Sequence, residues 1–174
     1  MNKTELGECV AEQLGYRLES KSAAALGEAM AMAGAQVPPA LKVGANGVLD
    51  RFHGRYKMAI ICDTGLTLGC ALRQVMKNDQ ILDYFDHLTF SDETTTTKPM
   101  PRQFLYTCHG LGVGPGHTVH VGDLEETDVA GAREAGLRCV RVMNGQPVDG
   151  TAADATISQL DELVNVIEAW EGEA

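Results

Sequence analysis

Hydrophobic residues follow one spacing at the start of the chain and another after Tyr56. Over residues 5–14, apolar side chains recur every four residues, which is the spacing of a helix face. Residues 22–35 are rich in alanine and other good helix formers. A third amphipathic pattern covers residues 45–52. The first two patterns predict a small helical unit over residues 1–44.

After Tyr56, short apolar runs alternate with helical patterns. The runs predict strands at 56–62, 87–91, 117–123 and 137–143, with a weaker strand at 155–157. The helical patterns between and after them cover 69–77, 102–111, 125–135 and 160–170. This alternation is typical of βαβ units in a parallel sheet. The sequence therefore predicts an α/β core over residues 45–174, with any site at the carboxyl ends of the strands.

Charge and composition narrow the classes of function. The chain has 174 residues and a formal net charge of −10, which disfavours binding to a nucleic-acid backbone. No apolar run reaches the roughly 18 residues of a membrane-spanning helix. The five cysteines show no CxxC spacing, so we expect a reducing, cytoplasmic environment and no disulfide framework.

Three polar clusters follow predicted strands. The first consists of Cys62, Asp63, Thr64 and Gly65, the second contains Lys98, and the third contains Asp123 and Asp128. Carboxylates suit a hard cation such as Mg²⁺, and a lysine with a nearby hydroxyl suits a phosphoryl group. Each cluster also has a simpler interpretation, because aspartates cap helices and a single lysine is typically solvated.

A second possible metal set is the spacing His117-x-x-His120-x-x-Asp123. Residues three apart in an extended strand point to opposite faces, which argues against this set. His120 lies within a predicted strand, where an interior hydrogen-bonded role competes with metal binding. The two histidines therefore remain secondary candidates.

The order of the clusters resembles the haloacid dehalogenase-like (HAD-like) hydrolase superfamily. The resemblance runs from about Val37 to Trp170 and is strongest in three stretches. They are FSDE at 90–93, KPMPRQF at 98–104 and VHVGDLEETDVAGAREAGL at 119–137. It implies a Rossmann-like parallel sheet of the HAD type, and it implies that the N-terminal helices are the remnant of a cap.

The resemblance also implies roles for individual residues. Cys62 occupies the place of the family's phosphate-binding Ser or Thr, with Thr64 two positions on. Lys98 matches the family's lysine motif. Asp123 and Asp128 match the family's acidic metal ligands.

The family's first motif, a strand ending in DxDxT that carries the nucleophile, has no counterpart here. No DxD occurs in these residues, and the matching strand is the usual central strand of the family sheet. Without it, strands 56–62 and 117–121 would have unpaired edges unless they pair directly or accept a segment of another chain. We therefore expect a homodimer.

These observations support a metal-dependent hydrolase of small phosphate mono- or diesters. Asp63, Asp123 and Asp128 would hold Mg²⁺ or Mn²⁺, or zinc if His117 and His120 take part. A metal-activated water would replace the missing nucleophile, while Cys62, Thr64, Gly65 and Lys98 would contact the phosphoryl group. The alternatives are a catalytically inactive phosphate-binding or dimerisation module, or an N-terminally truncated phosphatase.

Overall fold

The computed structural model describes residues 3–36, 38–65, 67–145 and 150–172, with backbone alone at 33–35. The chain forms two compact units. The first unit comprises Met1–Ala40, Cys62–Asp83 and Phe90–Thr95. The second comprises Leu41–Ile61, Tyr84–Thr89 and Thr96–Ala174.

The first unit is helical. Its elements are α1 (Lys3–Gln13), α2 (Ser20–Gln36), α4 (Gly69–Asn78) and the single turn α5 (Ser91–Thr94). Helices α1 and α2 pack backbone against backbone, because a Cβ at Gly7 or Gly27 would overlap a carbonyl group of the facing helix. Leu6, Ala31 and Leu68 form the buried core of this unit.

The second unit contains most of the α/β structure. Its helices are α3 (Ala45–Phe52), α6 (Pro101–Leu111), α7 (Ala130–Glu134) and α8 (Glu162–Glu171). Strands β3 (Val119–Gly122), β4 (Arg138–Val142) and β5 (Ala155–Ile157) form a parallel sheet in the order β3-β4-β5. Strands β1 (Ala59–Cys62) and β2 (His87–Phe90) form a second sheet, and each ends with one residue of the first unit.

Two apolar layers cover the faces of the β3-β4-β5 sheet. Cys139 packs with Phe104 of α6, with Ala132 of α7 and with Val129, which directly precedes α7. Its neighbour Val140 packs with Phe52, Leu163 and other residues of α3 and α8. Since adjacent residues of a strand point to opposite faces, the two helix pairs lie on opposite sides of the sheet.

The α/β class and the parallel sheet are confirmed, and most predicted elements agree with the structure to within a few residues. The segment after β2, for which no helix was predicted, begins with the helical turn α5. Direct pairing of 56–62 with 117–121 within the chain was wrong for the described residues, because β1 and β3 belong to different sheets.

The missing central strand and the cap remnant remain predictions, as does the division at residue 44. The first unit does include the N-terminal helices, but it also takes in Cys62–Asp83 and Phe90–Thr95. Among the described residues, no helix has the length and apolar character needed to cross a membrane.

Candidate functional site

Asp128 is the centre of a buried hydrogen-bond cluster at the carboxyl end of β3. Its Oδ1 atom lies 2.7 Å from Lys98 Nζ and 3.0 Å from His120 Nε2. Its Oδ2 atom accepts the backbone N–H groups of Asp123 at 3.2 Å and Leu124 at 3.1 Å. We call these five groups the Asp128 cluster. Both oxygens of a residue that is 3% exposed are thus used by protein donors.

The turn that follows β3 places the Asp128 side chain next to the last residue of that strand. Residues Glu125–Val129 form a wide, π-helical turn, and this kind of turn is rare and often found at functional sites. The carboxyl group of Asp128 then occupies the space beside Gly122 where a Cβ would project. A glycine at the end of β3 is therefore needed for this close approach.

Charge stabilises the ionised form of Asp128. Burial alone would raise the pKa of this carboxyl, but hydrogen bonds from His120, Lys98 and the Leu124 N–H outweigh burial. Together they hold the pKa of Asp128 well below its usual range. His120 is fixed on its other side by the ring of Phe104, which it meets edge-on with 5.0 Å between ring centroids. Asp128 is thus held in its ionised form by the donors around it.

Asp123 differs from Asp128 because it is exposed. Its Oδ2 atom accepts a hydrogen bond from Asn144 Nδ2 at 2.7 Å, and its carbonyl oxygen accepts one from Arg141 Nε at 3.2 Å. No side chain or backbone group of the described residues donates to its Oδ1 atom. Asp123 therefore offers a fixed carboxylate with one open oxygen at the strand end.

Asp123 is the residue of this arrangement that could contribute to a metal site. Within the described ranges, no three His, Cys, Asp or Glu side chains are grouped to hold a metal ion by themselves. Mg²⁺ is commonly held by one or two carboxylates, with waters and substrate phosphate oxygens completing its shell. Zinc sites instead collect three or four protein ligands. The open Asp123 carboxylate fits the first pattern.

The first unit contains a separate polar cluster around Thr64. Thr64 Oγ1 donates to Asp92 Oδ1 at 2.8 Å, and Ser91 Oγ accepts the Thr64 N–H at 2.9 Å. Asp92 also accepts the N–H of Gly69, the first residue of α4, at 3.2 Å. These bonds fix the loop that follows β1 to the turn that follows β2. Cys62 ends β1, and Asp63 and Gly65 lie in the loop that follows it.

The structure brings together only some of the predicted site residues. Lys98, Asp128 and His120 are in contact, and Asp123 joins them through its backbone N–H. His117 ends a 3₁₀ turn at Pro115–His117, outside the contacts of this cluster. Cys62, Asp63, Thr64 and Gly65 belong to the first compact unit, whereas the Asp128 cluster belongs to the second.

Several contributing residues were not predicted from the sequence. Ser91 and Asp92 lie within the FSDE stretch but had no assigned role, and Arg141, Glu125 and Asn144 had none either. The FSDE motif was a signal for the first pair. Glu125 lies within the 119–137 motif stretch, which was a signal for that residue. For Arg141 and Asn144 there was no signal, because the residues that they contact in this site lie 16 to 21 positions away in the sequence.

Comparison with known proteins identifies the family to which the chain belongs. The family model described as haloacid dehalogenase-like hydrolase matches residues 8–136. That match covers most of the chain, which therefore belongs to the haloacid dehalogenase-like hydrolase family. The resemblance inferred from the sequence motifs is confirmed.

Two curated relatives are phosphatases. N-acylneuraminate-9-phosphatase of Homo sapiens is 44% identical over 61 residues, which are 35% of this chain and 25% of that protein. Glyceraldehyde 3-phosphate phosphatase of Methanopyrus kandleri is 32% identical over 110 residues, which are 59% of this chain and 47% of that protein. The chain thus matches a quarter to about half the length of these relatives.

A solved structure confirms the fold. The 2-haloacid dehalogenase of Pseudomonas syringae pv. tomato DC3000 superposes with a TM-score of 0.75 at 22% identity. The superposition covers 97% of this chain and 70% of that one.

Proposed function

We propose that the chain is a metal-dependent phosphatase that hydrolyses small phosphate esters. The observation that carries the proposal is the Asp128 cluster, which holds the Lys98 ammonium at the strand end that also presents Asp123. A fixed cation and an open carboxylate at the end of a parallel strand are the groups that a phosphoryl dianion and its counterion require. Membership of a hydrolase family supports the same reaction class.

Asp123 is the proposed metal-holding residue of the second unit. A bound divalent ion would neutralise phosphoryl charge and lower the pKa of a water toward neutrality. Lys98 binds and orients a phosphoryl oxygen through its ammonium group. Its hydrogen bond to Asp128 restricts the long side chain before substrate arrives, which reduces the entropy lost on binding.

Asp128 takes a positioning role in this proposal, in place of the metal-ligand role expected from the sequence. Its oxygens already accept from Lys98, His120 and two backbone N–H groups. A metal ion would have to displace these donors. Asp63 as a second metal-holding carboxylate and Gly65 as a phosphate contact are proposed from their place after β1. Cys62 and Thr64 are proposed as phosphate contacts from the family resemblance.

The proposed substrates are phosphate monoesters of small molecules. Both curated relatives described above carry the name of a phosphatase for such a compound. Attack by water, without a covalent aspartyl intermediate, is part of this proposal. Hydrolysis of diesters is the less favoured extension, because both names refer to monoesters.

A second function is an inactive phosphate-binding or dimerisation module. It is favoured by the two separate sheets of the described residues, in which β1 and β3 each lie at the end of their sheet. A chain of this family with open strand edges could require a further segment before it can turn over substrate.

A chromogenic panel of phosphate mono- and diesters separates the two functions. We expect the pure wild-type chain to hydrolyse monoesters in the presence of Mg²⁺ and to stop when a chelator is added. Asp123→Asn should abolish this activity, whereas Glu126→Gln, an exposed acid three positions later, should keep it. Phosphate binding without turnover would support the inactive module, and equal activity of both variants would refute the Asp123 assignment.

A further inference from the structure

Arg141 is a buried charged residue that the proposed mechanism does not use. It lies in β4 and is 8% exposed, among apolar strand residues. Burying a guanidinium group costs several kcal/mol unless its donors are well paired. An apolar residue would fill this strand position at a lower cost, so the partners of Arg141 are informative.

Both partners of Arg141 belong to the turn that follows β3. Its Nη1 atom donates to Glu125 Oε2 at 2.7 Å, and its Nε atom donates to the carbonyl oxygen of Asp123 at 3.2 Å. The two acceptors thus belong to the residues on either side of Leu124. Glu125 is in turn held by the Thr151 hydroxyl and the Ala152 N–H, each at 2.7 Å. These bonds hold the Glu125 carboxylate in the position from which it contacts Arg141.

The peptide group between Asp123 and Leu124 is consequently fixed from two sides. Its C=O accepts from Arg141, and its N–H donates to Asp128 Oδ2 at 3.1 Å. Rotation of this peptide would break bonds to both buried side chains. Its orientation sets the direction in which the Asp123 side chain leaves the backbone.

We propose that Arg141, anchored by Glu125, is a positioning residue that fixes the Asp123 carboxylate for metal binding. This inference rests on the proposed function. Preorganisation of this kind matters because a misplacement of about 1 Å at a reacting centre can cost a hundredfold in rate. Arg141 itself contacts neither substrate nor metal.

The test compares Arg141→Lys, Arg141→Met and Glu125→Gln with Arg133→Met. Lysine keeps the charge but lacks the planar fork that reaches both Asp123 and Glu125. Arg133 provides a matched control, because it forms an exposed ion pair with Asp154 in the same unit. Thermal unfolding of each variant identifies those that stay folded, and Arg141→Lys and Glu125→Gln keep the test valid if Arg141→Met does not fold.

Two measurements are made on each folded variant: the kinetics of monoester hydrolysis with Mg²⁺, and Mn²⁺ affinity from water-proton relaxation. We expect the Arg141 and Glu125 variants to lose at least tenfold in kcat and in Mn²⁺ affinity, with KM changed less than threefold. Arg133→Met should match the wild type. Wild-type kinetics and Mn²⁺ affinity in folded Arg141→Lys and Glu125→Gln would overturn the inference.

The remaining outcomes separate the inference from the proposed function. A wild-type chain that binds Mn²⁺ without hydrolysis refutes the proposed function, and the Mn²⁺ affinities of the variants then decide the inference. A wild-type chain that neither binds Mn²⁺ nor hydrolyses esters overturns both.

Discussion

Lys98 Nζ lies 2.7 Å from Asp128 Oδ1, and the two residues are 30 positions apart in the sequence. The pair joins the loop that precedes α6 to the turn that follows β3. Both side chains are largely withdrawn from water, with exposures of 15% for Lys98 and 4% for Asp128. The pair is therefore both a structural link between segments and the means by which an ammonium group is held at the strand end.

Lys98→Met should reduce both stability and activity. Removing one partner of a buried ion pair leaves the other charge incompletely compensated, which costs about 3 kcal/mol. His120 and the two backbone N–H groups would still hold Asp128, so we expect the chain to fold. Urea unfolding gives the stability change, and monoester hydrolysis with Mg²⁺ gives the loss of activity.

Lys57→Met is the matched control for that experiment. Lys57 pairs with Asp86 at 3.3 Å, but the two side chains are 60% and 39% exposed. Exposed pairs contribute about 0–1 kcal/mol because water and salt screen them. Equal losses of stability in the two variants would contradict our assignment of Lys98 to a buried ion pair that stabilises the fold.

Gly122→Ala should disrupt the Asp128 cluster. The added Cβ would overlap the carboxyl group of Asp128, whose position is fixed by the turn at Glu125–Val129. Overpacking of this kind costs about 1–3 kcal/mol, and movement of Asp128 would also release Lys98. Chemical unfolding and ester hydrolysis should therefore both show a loss.

Gly47→Ala serves as the comparison for Gly122→Ala. Gly47 lies in α3, and a Cβ there meets no atom within 4 Å. Alanine in a helix is favoured over glycine by about 1 kcal/mol, so this variant should be at least as stable as the wild type. A destabilised Gly47→Ala together with an unaffected Gly122→Ala would refute the packing argument.

The sequence predicted those elements whose pattern is local. Helix α3 was predicted at its observed bounds, because Val48 and Phe52 lie one turn apart on an apolar face. The motif stretches likewise located Lys98, Asp123 and Asp128. The turn α5 was missed because residues 92–96 are polar and lack a helical period, while Asp92 is held by Thr64 and Gly69 of a distant segment.

The different roles of Asp123 and Asp128 could not be predicted either, because they depend on contacts with residues that are distant in the sequence. Asp123 and Asp128 look alike in the sequence as two acids after a strand. Only the fold shows that one is exposed with an open oxygen while the other is buried among four donors. Arg141 showed no sequence signal because a single arginine in an apolar strand gives no indication of its partners.

Stability should fall at low pH partly through Asp128. Its pKa is depressed in the folded chain, so its contribution is fully present above the unfolded-state pKa of about 3.9. The contribution is lost as the pH falls from there toward the folded pKa. The difference in unfolding free energy between the wild type and Asp128→Asn should therefore be large at pH 5.5 and smaller at pH 3. A difference that stays constant across this range would contradict a depressed pKa.

We also predict that the chain forms a homodimer. In the described residues, β1 and β3 are the end strands of separate sheets, and β1 has the apolar sequence Ala-Ile-Ile-Cys. An apolar edge strand presents a row of unpaired backbone N–H and C=O groups, and these groups tend to pair with a strand of another chain. Light scattering at micromolar concentration should give twice the monomer mass. In hydrogen exchange, amides of Ala59–Cys62 and Val119–Gly122 should be protected at this concentration and should lose protection on dilution. A monomeric mass, or protection that does not depend on concentration, would exclude pairing through these edges.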